Sequence, residues 1–492
     1  MIIKQGYSYD DILIQPNYSE IMSRKDVDLS INLTKNIKLN IPIVSANMDT
    51  ITEDKMAIEI AKLGGLGILH RYCSIEQQVE MVKKVKRYTN YIIYHPYYVY
   101  DNTIMKDVIK ELNNKQVKSL LILDKNNNQL VGLFTNRDYL SYLADTDINK
   151  QNMTIIHYMK SISNLITINK DKLNNMNLNE IFQLCVLYKI QKLPILNEDN
   201  TIYGLITLKD LKNRINPNFI DKANLDRNSQ LRVGGAIGVK GDYLERAHRL
   251  IEAGCDILCI DVAHGHHLLC GNVIKEIKNM YPNVEIIAGN VCTGKGVEYL
   301  VNCGADCIKV GVGPGSICTT RKQTGCGVPQ FTAVLECSKV AKELGVTTIA
   351  DGGHNGTIGN IFKALCAGAT CSMLGGMISG TTETPGLIYT KLGGKVKQIR
   401  GMAGILSNYQ KSSKMGEDTK YLQDITPEGV EGYVNYKGDV KDIINQIEGG
   451  IRSGLSYVGC NKLSELHNTE IEFIIITSNG LKESGVHGIQ QI

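Results

Sequence analysis

Short apolar runs with the length of buried β-strands recur along this chain of 492 residues. Each run is followed by a glycine-rich or polar turn, and the later runs alternate with segments long enough for a helix. Continuous apolar strands that alternate with helices indicate a parallel sheet covered on both faces. We identify eight such strands, at Ile41–Ala46, Leu66–Leu69, Val233–Ile237, Ile257–Asp261, Glu285–Gly289, Ile308–Val312, Thr347–Asp351 and Ser372–Gly375.

Eight strand–helix units favour an α/β fold of the closed (β/α)₈ TIM-barrel type. An open, doubly wound sheet of the Rossmann type is the alternative that the same pattern allows. The strand spacing is broken once, by residues 70–232, a gap far longer than a normal connection between a strand and a helix. We therefore expect one barrel, built from residues 1–94 and 216–492, with a second domain inserted at residues 95–215.

The insert contains an internal repeat. Leu121–Asp124 followed by Val131–Asp138 matches Pro194–Asn197 followed by Tyr203–Asp210, and both copies end in Gly-Leu-(Phe/Ile)-Thr-x-(Arg/Lys)-Asp. Each copy predicts a strand, a polar turn, a second strand and a helix that starts at Thr-x-x-Asp. The acidic side chain there would stabilise the positive end of the helix. The insert is therefore expected to be a duplicated domain.

Charge and cysteine content argue against several classes of protein. The chain has 54 Lys and Arg against 50 Asp and Glu, which is too balanced for a nucleic-acid or membrane surface. Its 14 cysteines are too sparse for a small disulfide scaffold, and its first residues lack the basic start and apolar core of a signal peptide. We therefore expect a cytoplasmic protein with reduced thiols that binds neither nucleic acid nor membrane.

The segment richest in glycine, from Gly311 to Arg321, follows the sixth strand. In a barrel, the loops after the strands form the face that carries active sites. Glycines in such a loop let backbone N–H groups converge on an anion without crowding. Cys318 lies beside Ser316 and Thr320, and a thiol in this setting can be a nucleophile if a nearby base or dipole favours the thiolate. The competing interpretation, a small buried hydrophobic residue, fits most of the other cysteines.

The segment Gly313 to Arg321 resembles the signature of the IMP dehydrogenase and GMP reductase superfamily. Further segments that resemble this family are Tyr9–Leu13, Ala46–Thr50, Asp261–Gly265, Ala288–Val291, Asp351–Gly353, Arg400–Met402 and Gly449–Ser453. The inserted repeat is similar to the accessory domain of that family, a tandem cystathionine-β-synthase-type (CBS) pair that binds adenine or guanine nucleotides. On this resemblance Asp138 and Asp210 would hold the ribose of a regulatory nucleotide, and capping of their helices is an equally good interpretation.

The resemblance implies that Cys318 attacks the purine C2 of a nucleoside monophosphate, with hydride exchange to or from a nicotinamide cofactor. It further implies that Ser316 holds the 5′-phosphate, Asp351 binds the ribose and Asp261 reaches the nicotinamide ribose. The other positions implied by the resemblance are Met48, Gly353, Gly375, Gly376, Gly401, Met402 and Glu431 for the substrate, Val262, Ala263 and Gly311 for the cofactor, and Gly313, Gly315 and Cys318 for a potassium ion.

The two enzymes of the family differ in how they resolve the covalent adduct. A dehydrogenase hydrolyses it with water activated by an Arg-Tyr pair on a mobile flap, whereas a reductase reduces it with NADPH and uses a Thr-Glu pair to handle the ammonia. Thr320 and Glu383 match the Thr-Glu pair, although many dehydrogenases also fill both positions. On the expected flap, around residues 400–435, Lys420 and Tyr421 stand where a dehydrogenase has Arg-Tyr, and lysine lacks the planar fork of a guanidinium.

These details favour GMP reductase, which converts GMP to IMP and ammonia with NADPH. The insert, Glu428–Gly432 and Glu483–His487 favour the alternative, NAD-dependent IMP dehydrogenase, which oxidises IMP to XMP. A nucleotide sensor without catalysis is a second alternative, disfavoured because Cys318, Thr320, Asp351 and Glu383 are all present. The resemblance also implies a homotetramer that the accessory modules can pair into an octamer.

Overall fold

The computed structural model describes residues 2–89, 91–115, 117–215, 221–391, 393–404 and 426–486. The chain divides into two compact units, one formed by the residues up to Tyr88 together with those from Lys222 onward, and the other by Thr89–Asp221. Within the described ranges, the helices are all too short or too polar to cross a bilayer.

In the described part of the first unit, eight parallel strands close into a barrel. Each strand pairs with its neighbours in the chain, and the last strand pairs with the first, Met373 lying opposite Val44. The barrel strands are β1 (Ile43–Ser45), β2 (Leu66–Leu69), β3 (Val233–Ile237), β4 (Ile257–Asp261), β5 (Glu285–Val291), β6 (Cys307–Val310), β7 (Thr347–Asp351) and β8 (Cys371–Leu374).

A helix follows each barrel strand, so the outer faces of the strands are covered. These helices are α1 (Asp54–Lys62), α2 (Ile75–Arg87), α3 (Tyr243–Glu252), α4 (Leu268–Met280), α5 (Gly294–Asn302), α6 (Gln330–Glu343), α7 (Ile358–Cys366) and α8 (Val440–Tyr457). The interior is filled by buried apolar side chains from successive strands, including Cys259, Cys307 and Cys371. The predicted (β/α)₈ barrel is confirmed, and the closed sheet excludes the open Rossmann-type alternative.

One strand ends earlier than the sequence pattern predicts. The apolar run continues to Val312, but β6 ends at Val310 because Gly311 has φ +145°. A side chain at Gly311 would also meet the backbone oxygen of Asp351 at 2.6 Å. The residues from Gly311 onward therefore belong to the loop at the carboxyl end of the barrel.

Smaller elements complete the first unit. Two pairs of strands are Ile12–Ile14 with Phe473–Ile475 and Ile31–Asn32 with Lys38–Leu39. A three-stranded sheet contains Tyr389–Lys391, Gly394–Arg400 and Glu431–Asn435. The short helices are Thr320–Thr324, Leu463–Leu466 and Ser478–Glu483.

The second unit has two four-stranded sheets. Both predicted copies of the repeat form an antiparallel hairpin followed by a helix. The unit begins before the predicted residue 95, because the strand Ile92–Ile93 pairs with the second hairpin. One sheet contains the strands Lys160–Ser161, Leu130–Thr135, Ser119–Leu123 and Tyr98–Tyr100. The other sheet contains Ile168–Asn169, Lys192–Leu196, Ile202–Thr207 and Ile92–Ile93. The helices of this unit are Met105–Lys115, Asn136–Ala144, Lys170–Asn174, Leu178–Leu187 and Leu208–Ile215.

Candidate active site

A cavity of about 410 Å³ opens at the carboxyl ends of β1, β6, β7 and β8. Its volume lies in the range of sites for small molecules. Six residues that the sequence analysis assigns to the substrate line this cavity, namely Met48, Ser316, Asp351, Gly353, Gly375 and Gly376. The structure therefore brings most of the expected substrate site together.

Two consecutive glycines shape the cavity where β7 ends. Gly352 and Gly353 have φ +83° and +80°, a region that side chains rarely adopt. A Cβ at Gly352 would lie 3.5 Å from the backbone of Gly315, so this turn packs closely against the loop that carries Cys318. A Cβ at Gly376 would lie 3.0 Å from the hydroxyl of Ser316. Two glycine-rich loops thus meet beside Ser316, and loops of this kind can offer backbone N–H groups to a phosphate.

Cys318 is the first member of a short chain of polar contacts. Its Sγ lies 3.1 Å from Oγ1 of Thr320, and that hydroxyl donates to Oε2 of Glu428 at 2.7 Å. All three side chains are partly buried. Because a hydroxyl can accept one proton while it donates another, this arrangement can move a proton between the thiol and the carboxylate.

The segment that carries Glu428 is fixed to the Cys318 loop by its backbone. Thr319 N–H donates to the Glu428 carbonyl at 2.9 Å, and Val430 N–H donates to the Ile317 carbonyl at 3.0 Å. Cys318 and Gly429 lie opposite each other in an antiparallel bridge. Cys318 and Glu428 are therefore held together by backbone hydrogen bonds as well as by Thr320.

Glu383, the expected partner of Thr320, makes a different contact. Its Oε2 accepts the N–H of Val440 at 2.9 Å, at the start of α8. Burial raises the pKa of Glu383, and the hydrogen bond from Val440 opposes this rise. Among the described residues, the hydroxyl of Thr320 therefore donates to Glu428. Glu383 instead stabilises the N-terminus of a helix.

Three expected substrate residues lie at the base of the expected flap. Gly401 N–H donates to the Val430 carbonyl at 2.9 Å, and the Met402 carbonyl accepts the Tyr72 hydroxyl at 2.8 Å. Glu431 lies opposite Arg400 in the antiparallel sheet. These residues connect to the Cys318 loop through the segment 428–430. Lys420 and Tyr421 lie outside the described residues, as does His487.

A buried network joins Asp261 and Asp351, the two carboxylates expected to bind cofactor and substrate. The ammonium of Lys309 donates to Asp261 Oδ1 at 2.8 Å and to Asp351 Oδ2 at 2.9 Å. Asn290 Nδ2 donates to Asp351 Oδ2 at 2.8 Å and to the Gly311 carbonyl at 2.7 Å. Burial would raise the pKa of Asp261, but the Lys309 ammonium, together with Arg71 and Asn47, outweighs this effect and the pKa is lowered. Asp261 is therefore held as a carboxylate.

The remaining expected cofactor residues follow the same strand ends. Val262 exchanges backbone hydrogen bonds with the last part of β5: its N–H donates to the Gly289 carbonyl, and its own carbonyl accepts the Asn290 N–H. Ala263 is exposed. Gly311 N–H donates to the Val291 carbonyl at 2.8 Å.

The residues proposed for potassium lie within the Cys318 loop. The Gly315 carbonyl accepts the Cys318 N–H at 3.0 Å, and Gly313 has φ +78°. In the described ranges, His, Cys, Asp and Glu side chains form no group of three or more that could hold a metal ion. A cation in this loop would therefore depend on backbone carbonyls, which suits a monovalent ion.

In the second unit, Asp138 and Asp210 occupy equivalent places. Asp138 Oδ2 accepts the Thr135 N–H at 2.7 Å and the Thr135 hydroxyl at 2.6 Å. Asp210 Oδ2 accepts the Thr207 hydroxyl at 2.5 Å. Both carboxylates thus stabilise the starts of their helices, as the Thr-x-x-Asp pattern predicts.

No role was predicted for Lys309 or Asn290, and Glu428 entered only as part of Glu428–Gly432, a segment that favours the dehydrogenase. Lysine is almost never fully buried without a partner, so its place inside the apolar strand β6 could have indicated an ion pair. Glu428 offered no such indication, because its contact with Thr320 joins parts of the chain that are distant in sequence.

A sequence model of the family described as the IMP dehydrogenase / GMP reductase domain matches residues 6–487. Inosine-5′-monophosphate dehydrogenase from Nitrosopumilus maritimus is 41% identical over 493 residues, which covers 99% of each chain. GMP reductase from Leishmania major is 41% identical over 498 residues, covering 100% of this chain and 98% of its own.

The fold is also similar to a solved structure. The C318A variant of GMP reductase from Trypanosoma brucei, in complex with guanosine 5′-monophosphate, matches with a TM-score of 0.88 and 41% identity, covering 99% of both chains. The match extends over the barrel, the insert and the loop that carries Cys318. The chain therefore belongs to the IMP dehydrogenase / GMP reductase family and is an oxidoreductase.

Proposed function

We propose that this protein is a GMP reductase that converts GMP, NADPH and two protons to IMP, NADP⁺ and ammonium. The observation that carries the proposal is the contact chain from Cys318 through Thr320 to Glu428. It provides a nucleophile for the purine C2 and a carboxylate that can deliver a proton to the departing amino group. The alternative, IMP dehydrogenase, needs an activated water, and Lys420 replaces the guanidinium that would support it.

The first half of the proposed reaction uses this contact chain directly. The thiol of Cys318 passes its proton through Thr320 to Glu428, and the sulfur forms a bond to C2 of GMP. The same proton then returns through Thr320 to the amino group at C2, which leaves as ammonia when its bond to carbon breaks. A covalent purine adduct on Cys318 remains.

The second half of the reaction needs a hydride at the same carbon. A bound NADPH would supply that hydride, and the carboxylate of Asp261 fits the ribose next to its nicotinamide. When C2 gains the hydride, the carbon–sulfur bond breaks and Cys318 leaves as a thiolate, which takes up a proton from solvent through Glu428 and Thr320. Thr320 and Glu428 thus handle protons in both halves.

The cavity supports a nucleoside monophosphate as the substrate. Ser316, Gly353, Gly375 and Gly376 offer hydroxyl and backbone groups for a phosphate. Asp351 lines the same cavity and can accept hydrogen bonds from ribose hydroxyls. The side chain of Met48 packs close to Gly375, where a Cβ would lie 3.4 Å from the Met48 sulfur, and it offers an apolar contact for the purine.

The alternative function is NAD-dependent IMP dehydrogenase. It is favoured by the relative from Nitrosopumilus maritimus, which is as similar in sequence as the Leishmania reductase. The same thiol and carboxylate could serve IMP oxidation, with water rather than a hydride resolving the adduct.

Two absorbance assays distinguish these functions, one with GMP and NADPH and the other with IMP and NAD. Our proposal predicts oxidation of NADPH in the first assay and no XMP in the second. NADH and XMP in the second assay, without turnover in the first, would establish the dehydrogenase instead. Cys318→Ala serves as the control, since it should bind GMP and turn over neither substrate.

We further propose that the second unit is a tandem CBS module that binds a purine nucleotide near Asp138 and Asp210. The duplicated hairpins and the equivalent places of these two carboxylates support this assignment. A potassium ion at the Cys318 loop and a homotetramer, with an octamer through the modules, complete the proposal. Activity measured with and without ATP, GTP and potassium, together with the mass in solution, tests these points.

A further inference from the structure

Lys309 lies on β6 and is buried, with 3% of its side chain exposed. Its ammonium donates to Asp261 Oδ1 at 2.8 Å, to Asp351 Oδ2 at 2.9 Å and to Asn290 Oδ1. An ammonium has three N–H donors, so every donor of Lys309 is used. The two carboxylates belong to β4 and β7, and the single cation lies between them.

A glycine on the intervening strand makes this bridge possible. Asp261 ends β4 and Lys309 lies on β6, so the lysine must pass β5 to reach it. Gly289 on β5 lies opposite both residues. A Cβ at Gly289 would lie 2.7 Å from the Cβ of Lys309. The missing side chain therefore leaves the space through which the lysine crosses.

The charge state of the bridge follows from its partners. Burial would lower the pKa of Lys309, but Asp261 and Asp351 more than compensate, so the pKa lies above its ordinary value. The side chain of Lys309 is therefore an ammonium at neutral pH. Asp351 and Asp261 each keep roughly a quarter of the side chain exposed, 24% and 23%, toward the mouth of the barrel.

We propose that Lys309 is a positioning residue that couples the nucleotide site to the cofactor site. The inference rests on the proposed function, in which Asp351 binds the substrate ribose and Asp261 the nicotinamide ribose. A ribose bound at Asp351 fixes that carboxylate, which fixes the ammonium and hence the carboxylate of Asp261. The second ligand then meets a group that is already ordered, so it binds more tightly. By linkage, the effect is the same in both directions.

The chain supplies a matched control in Lys86. This lysine is also buried, with 7% of its side chain exposed, and it also bridges two aspartates, Asp226 at 3.0 Å and Asp256 at 2.6 Å. It lies on α2, outside the barrel interior, and none of these three residues lines the cavity. Removing its charge tests the general effect of breaking a buried bridge without touching either site.

The test measures the Kd of NADPH with and without saturating IMP, a pair that cannot react with each other. We expect IMP to tighten NADPH binding about fivefold or more in the wild-type protein. Lys86→Gln should keep this ratio, and Lys309→Gln should reduce it to about one. An unchanged ratio in Lys309→Gln, or a ratio of one in the wild type, would overturn the inference.

A second variant covers the case in which Lys309→Gln does not fold. Lys309→Arg keeps the charge, but a planar guanidinium cannot repeat the three bonds of an ammonium. We expect its ratio to fall at least about twofold below the wild type, and a wild-type ratio would contradict the inference. If the wild-type protein binds neither IMP nor NADPH, the proposed function itself fails, whereas binding without coupling refutes the role of Lys309 alone.

Discussion

At the scale of single residues, the hydroxyl of Thr320 is the group through which the thiol and a carboxylate communicate. It lies 3.1 Å from Cys318 Sγ and donates to Glu428 at 2.7 Å. Glu383 instead accepts a backbone N–H at the start of α8. The chain therefore offers two glutamates near functional loops, of which one is placed for proton transfer and the other for stability.

Glu428→Gln should lower kcat strongly, because an amide cannot carry the proton that the leaving amino group needs. We expect a loss of about 100-fold or more, with a smaller change in KM for GMP. The matched variant Glu383→Gln should lower kcat less than about tenfold and reduce the free energy of unfolding by about 1 kcal/mol. Steady-state kinetics and chemical unfolding of both variants check this, and the reverse pattern would restore Glu383 as the partner of Thr320.

His354 makes the stability of the protein sensitive to acid. Its ring stacks on Tyr9 with centroids 5.6 Å apart, and only 4% of the residue is exposed. Burial lowers the pKa of His354 to about 4, against the opposing effect of Asp351. An unfolded histidine has a pKa of about 6.5, so the unfolded chain takes up more protons between these values.

Stability should therefore fall as the pH falls from about 6.5 toward 4. This residue alone contributes a loss of about 2 kcal/mol between pH 7 and pH 5. His354→Phe keeps the stacking on Tyr9 and has no group to protonate, so its loss over the same range should be smaller by that amount. Urea unfolding of both proteins at the two pH values measures the difference. Equal losses would show that His354 does not titrate as described.

At the scale of elements, Arg321 ties the two ends of the Cys318 loop together. Its Nε donates to the Val312 carbonyl at 2.9 Å and its Nη2 to the Val328 carbonyl at 2.6 Å. The side chain passes close to Gly313, where a Cβ would lie 2.7 Å from Arg321 Cγ. The conformation of the Cys318 loop thus depends on the space beside Arg321.

Gly313→Ala should displace Arg321 and lower kcat by about 10- to 100-fold, because small shifts of a nucleophile are costly. Gly325→Ala is the control: its φ of +72° is close to the +78° of Gly313, but a Cβ there has open space. Both variants should lose about 1–2 kcal/mol of stability from backbone strain. Only Gly313→Ala should lose activity, and equal kinetics in the two variants would argue against the role of Arg321.

The barrel and the insert were predictable at this scale because their strands are continuous apolar runs with regular spacing. The glycine loop with Cys318 was also predictable, because all of its residues are close together in the sequence. The Thr320–Glu428 contact was not, because it depends on how the segment after the expected flap returns to the barrel. Lys309 interrupts the apolar pattern of β6, but the sequence does not reveal which carboxylates it bridges.

At the scale of the whole molecule, the chain combines a barrel with an inserted duplicated unit, and its relatives include both IMP dehydrogenases and GMP reductases. In the proposed mechanism, the two functions differ in the fate of the adduct on Cys318. A hydride at C2 gives IMP, whereas water at C2 gives XMP. The origin of the atom that C2 acquires therefore decides the function.

The most direct measurement follows that atom with GMP and NADPH deuterated at both C4 positions of the nicotinamide. We expect IMP that carries one deuterium at C2, formed together with equal amounts of ammonia and NADP⁺. Mass spectrometry of the nucleotide and an ammonia assay give both results. Unlabelled IMP, or XMP as the product of GMP, would contradict reduction of the adduct and with it the proposed function.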